Sequence, residues 1–102
     1  MKRRVPLSKS IKNEKADKLM DAILTIENRE EAYNFFEDLC TINELESMTQ
    51  RFEVAEMLRR DETYQKIASE TGASTATISR VNRALSYGED GYETVLKRME
   101  NK

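Results

Sequence analysis

The side chains best suited to chemistry in this 102-residue chain crowd between residues 74 and 83. Ser74, Thr75, Thr77 and Ser79 carry hydroxyls, Arg80 and Arg83 carry guanidinium groups, and Ala76 separates the two threonines. A hydroxyl becomes a nucleophile when a base takes its proton, and the usual base is histidine. The chain contains no histidine, which also removes the common zinc sites. Cys40 is the single cysteine. An internal disulfide is therefore excluded, and its place on an apolar stripe reads as core or interface packing. A carboxylate enzyme would need two acids converging on one pocket, and the acids here are spread along helix faces as solvated charge. No enzyme, catalytic residue, cofactor or metal is expected.

The same side chains suit recognition of a duplex. Short hydroxyls and methyls let a helix backbone approach base edges, where Thr and Ala can touch thymine methyls. Arginine reaches phosphate or the acceptor edge of guanine. Such a face needs two elements to hold it. In "YQKIASETGASTATISRVNR", residues 64–83, Ile67 and Ala68 line the inner side of a short first helix, and small Ala68 permits a close crossing. Gly72 falls where the chain must turn, and glycine adopts positive φ without a Cβ penalty. Ser74 is a good N-cap for the next helix. Ile78, Val81 and Leu85 then face back onto the first, which leaves Thr75, Ala76, Thr77, Ser79, Arg80 and Arg83 outward. This is helix-turn-helix spacing. Residues 73–88 contain no acid, in a chain with 19 Asp and Glu. A helix face built only for solvation would mix Glu and Lys, as the rest of the chain does.

The formal net charge of −2 hides a segregation. Residues 1–15 hold six basic groups against one acid, residues 16–62 five against thirteen, and residues 63–87 three against one. Local field steers a charged partner more than the total does. The start, "MKRRVPLSKSIKNEK", lacks the apolar stretch of a secretory signal, and no run of about 18 apolar residues offers a membrane span. A cytoplasmic location is expected.

Helical periodicity continues through the rest of the chain. One stripe is Ala16, Leu19, Met20, Ile23 and Leu24. A capping box from Asn28 to Glu31 opens a second helix with Ala32, Phe35, Phe36, Leu39 and Cys40 inward. "TINE" offers a further box from Thr41 to Glu44, and Leu45, Met48, Phe52, Ala55 and Leu58 mark a longer helix ending near "RRDE". Beyond "GEDG", Tyr92, Val95, Leu96 and Met99 mark a last one. The fold class expected is all-α, with about six helices and no strand. Residues 1–12 form a basic arm, read either as a solvated tail or as a tracker of DNA phosphates. Residues 13–102 form a single domain, with dimerisation helices over 13–62, the helix-turn-helix over 63–86 and a C-terminal helix over 89–100. The first two helices have wide apolar faces and few partners in so short a chain, so burial against a second copy is expected. Leu19, Ile23, Phe35, Phe36, Leu39, Leu45 and Phe52 are the core or dimer residues.

"ETGASTATISRVNRAL" resembles the reading head of the Trp repressor, and "CTINELESMTQRFEVAEMLRRDETYQKIA" resembles the helices leading into it. The resemblance covers roughly residues 35–87 and points to the Trp-repressor-like superfamily, and within it to the YerC/YecD-type group. It implies an intertwined, all-helical homodimer in which Thr75, Ala76, Thr77, Ser79 and Arg80 approach an operator, with Gln65 and Lys66 near the backbone. It further implies a small-molecule corepressor site at Thr41, Arg51 and Arg80. Val81 stands where the family has a glycine beside its ligand, and its side chain argues against tryptophan there. Taken together, Gln65, Lys66, Ser74, Thr75, Ala76, Thr77, Ser79, Arg80 and Arg83 are the DNA-binding candidates. The function expected is a transcriptional regulator, a repressor of a metabolic operon such as one for amino-acid biosynthesis. A helical protein-interaction module without DNA readout is the alternative.

Overall fold

Asn13 opens the first helix by turning its side chain back on the chain: Oδ1 accepts the Ala16 N–H at 2.8 Å, which satisfies one of the donors a helix start leaves orphaned. The computed structural model describes residues 12–101, so the basic arm lies, but for Lys12, outside the described residues. Helix α1 runs Glu14–Ile23 and carries Glu14 and Asp17 in its first turn, the sign of charge the helix dipole favours there. Helix α2, Arg29–Leu39, is capped by Asn28, whose Oδ1 accepts the Glu31 N–H at 2.9 Å. The Glu31 carboxylate reaches past Asn28 to accept the Glu27 N–H at 3.0 Å. The capping box therefore closes one residue earlier than the sequence pattern specifies.

Neither α1 nor α2 contains a fully buried residue. Leu19, Ile23, Phe35, Phe36 and Cys40 are half-buried, and the two phenylalanine rings meet edge to face at 5.4 Å. Met20, Leu24, Tyr33 and Leu39 are 53%, 81%, 63% and 50% exposed. These helices belong to a compact unit that ends at Thr41; a second unit spans Ile42–Lys102.

The second unit has a core of its own. Helix α3, Ile42–Arg59, packs against α4, Tyr64–Thr71, against α5, Thr75–Tyr87, and against α6, Gly91–Glu100. Val54, Ala55 and Met57 from α3 meet Ile67 from α4, Ala73 from the turn, Ile78 and Val81 from α5, and Leu96 from α6. The sequence stripe on α3 is only partly the buried one. Ala55 is fully buried, Phe52 and Leu58 pack at the margin, and Met48 is 37% exposed. Val54 and Met57, outside that stripe, are buried as deeply as Ala55 or nearly so. A helix touched on several sides buries more than one stripe, so its apolar residues need not recur on a single face.

Charge fixes the last helix to the long one. The Arg59 guanidinium donates through Nε to Glu93 at 2.9 Å, through Nη2 to the same carboxylate at 3.0 Å, and through Nη1 to Glu100. Fork-to-fork pairing of this kind holds geometry as well as energy. Between α5 and α6 the chain passes too close for a side chain, since a Cβ on Gly88 would lie 2.3 Å from the Ala84 carbonyl oxygen. The described residues form six helices and no strand, and none of these helices is long and apolar enough to cross a membrane.

Candidate nucleic-acid interface

The turn between α4 and α5 is built from short-range bonds. Gly72 has φ +75° and ψ 4°, the left-handed conformation, and its N–H donates to the Ala68 carbonyl at 2.9 Å. Thr71 bridges the corner: its hydroxyl donates to the Ile67 carbonyl at 2.7 Å and accepts the Ala73 N–H at 3.1 Å. Buried Ala73 pins the middle of the turn to the core. Ser74, extended at φ −73° and ψ 160°, then caps α5 by accepting the Thr77 N–H at 3.1 Å, with the Thr77 hydroxyl at the same distance. The glycine and the cap stand where the sequence spacing places them.

Burial sorts α5 into two faces. Ile78 and Val81 are 0% and 2% exposed, and Leu85 packs at the edge of the same core. Ser74, Thr75, Ala76, Arg80 and Arg83 are exposed, while Thr77 and Ser79 are half-buried. Thr77 turns its hydroxyl to Ser74, so it is less available than the purely outward reading implies. The guanidinium groups of Arg80 and Arg83 pair with none of the described residues. No acid lies in the first turn of α5, which leaves its positive dipole end uncompensated and open to a phosphate. A 13-residue helix is about 20 Å long, and a major groove about 12 Å wide admits it.

On α4, Gln65 and Lys66 are both exposed. Lys66 is already paired, with Nζ 3.0 Å from the Glu62 carboxylate. The hydrogen bond to Glu62 holds the ammonium above its ordinary pKa. It would meet a phosphate by exchanging one anionic partner for another.

The residues expected to hold a corepressor divide between the units. Thr41 is an exposed residue at the end of the first, while Arg51, half-buried on α3, and Arg80, exposed on α5, belong to the second. Val81 is a core residue, sealed at 2% exposure in one cluster with Val54, Ile67 and Ile78. No group of three or more Cys, Asp or Glu that could hold a metal ion occurs among the described residues.

Sequence reasoning missed Gln50 and Arg59. Gln50 reaches from α3 to the Thr71 carbonyl at 3.1 Å, and Arg59 binds acids 34 and 41 residues away. Both reads require knowing which helices cross, and no local spacing carries that.

The Trp repressor protein family matches residues 14–100 of the chain. The chain is 56% identical over 90 residues to the uncharacterized protein YerC of Bacillus subtilis (strain 168), an alignment that spans 88% of this chain and 86% of YerC. The crystal structure of a TrpR like protein from Eubacterium eligens superposes with a TM-score of 0.87 at 56% identity, over 90% of this chain and 95% of that one.

Proposed function

From the premise that the chain belongs to the Trp repressor family, a family of DNA-binding regulators, we propose that it is a sequence-specific cytoplasmic repressor of a metabolic operon, acting on a two-fold operator. The observation that carries the reading is the exposed, acid-free face of α5 behind a glycine turn and a serine cap. Thr75, Ala76, Ser79 and Arg80 read base edges, with Thr77 and Arg83 beside them. Ser74 and the α5 N-terminus take a phosphate, and Gln65 and Lys66 lie along the backbone. Two copies place two such helices in successive major grooves about 34 Å apart. The homodimer is supported by α1 and α2, which carry wide apolar faces and no fully buried residue. Within the second unit the corepressor candidates are Arg51 and Arg80, and the ligand is a metabolite other than tryptophan because Val81 fills the place of the family glycine.

Selection from a random duplex library tests the reading. The expected result is enrichment of one two-fold sequence, with affinity falling steeply between about 50 and 200 mM salt as phosphate contacts release counterions. Binding without sequence preference, or capture of a protein partner indifferent to competing DNA, would favour an interaction module instead.

A further inference from the structure

The apolar contacts that join α3, α4 and α5 fix how the helices cross only to within the scatter of side-chain packing, about 15–20°. The hydrogen bond between α3 and the end of α4 adds a direction. Gln50, part-buried on α3, donates its amide to the Thr71 carbonyl at 3.1 Å, across 21 residues of sequence. The acceptor is the last residue of α4, whose carbonyl lacks an intrahelical donor. The same amide nitrogen lies 4.0 Å from where a Cβ on Gly72 would stand, so it sits directly beneath the turn. From Thr71 the bonding continues: its hydroxyl ties Ile67 behind to Ala73 ahead, and Ser74 then caps α5. Successive hydrogen bonds thus brace the stretch of backbone from the end of α4 to the first turn of the reading helix, and Gln50 ties its start to the long helix.

We propose that Gln50 and Thr71 are positioning residues that set the angle at which α5 leaves the turn, and thereby the fit of Thr75 and Ala76 to a base sequence. This rests on the proposed reading of DNA by α5. Neither side chain carries charge, so removing either bond leaves the phosphate attraction as it was. What changes is the spread of α5 orientations. A loose reading head still binds duplex, because non-specific affinity is electrostatic, but it discriminates poorly because base contacts need registration within a fraction of an ångström.

The test compares affinity for the selected two-fold sequence with affinity for a scrambled duplex of equal length. Gln50→Met keeps length and removes the donor; Thr71→Val keeps shape and removes the hydroxyl; Thr71→Ser restores it. The first two are expected to lose about tenfold in the ratio of selected to scrambled affinity, while Thr71→Ser stays within about twofold of the parent. Amide exchange at Ala73 and Thr77 should quicken in Gln50→Met and Thr71→Val alone. Loss of both affinities in equal proportion, or an unchanged ratio, overturns the positioning role. A parent protein with no sequence preference instead overturns the reading on which the role depends, and the two failures are told apart by that control.

Discussion

Arg80→Ala separates recognition from stability. The residue is exposed and pairs with none of the described residues, so its removal breaks no bond and opens no cavity within them. Exposed substitutions of that kind stay within about 0.5 kcal/mol, which for a chain this size moves the melting temperature by no more than about 4 °C. On DNA the cost is of another order. A bidentate arginine–guanine contact is worth about 1–3 kcal/mol, and a two-fold complex loses it twice, giving about 2–6 kcal/mol. That is a fall of roughly 30-fold to 20,000-fold in affinity. Titration of a labelled duplex carrying the selected sequence, alongside thermal melts, measures both. Unchanged affinity with an unchanged melt would refute the assignment of Arg80 to the duplex. A fall in melting temperature matching the loss of affinity would refute the claim that its role is recognition alone.

Ile78→Ala, on the opposite face of the same helix, should do the reverse. Its side chain is fully buried, and the truncation costs about 2–5 kcal/mol, seen as a melting temperature lower by more than about 10 °C. Gly88→Ala should cost about 1–3 kcal/mol in denaturant titration, since the new Cβ meets the Ala84 carbonyl oxygen at 2.3 Å. Gly91→Ala, where a Cβ meets nothing within 4 Å, should be neutral or mildly stabilising. Glu93 is held below the usual carboxylate range, chiefly by its hydrogen bond from Arg59. A depressed folded-state pKa gives stability that is present above the unfolded value and lost as pH falls through the folded one. Urea midpoints should therefore drop on going below about pH 4, and Glu93→Gln should flatten that limb; equal slopes in the two proteins would count against the clamp.

Where local chemistry decides the outcome, the sequence was readable. Gly72, Ser74, Ile78 and Val81 are all fixed within one turn and two short helices, and each takes the place its type and spacing imply. Asn28 caps α2 for the same reason. Legibility fails where a residue answers to a distant neighbour. Val54 and Met57 escaped the stripe on α3 because several other helices converge on that helix. Gln50 and Arg59 look like ordinary surface residues until the crossing of α3 with α4 and α6 supplies the Thr71 carbonyl, Glu93 and Glu100. The face of α5 was legible in outline, but the turning of Thr77 toward Ser74 was not.

The absence of any fully buried residue in α1 and α2 bears on how much of this regulator a cell must hold. Helices of ten or eleven residues are marginal alone in water, and if a second copy supplies their cover, folding and pairing become one equilibrium that dilution drives apart. On the proposed reading, occupancy of a DNA site would then rise faster than in proportion to the number of chains, so the rate of synthesis itself would act as a threshold for control.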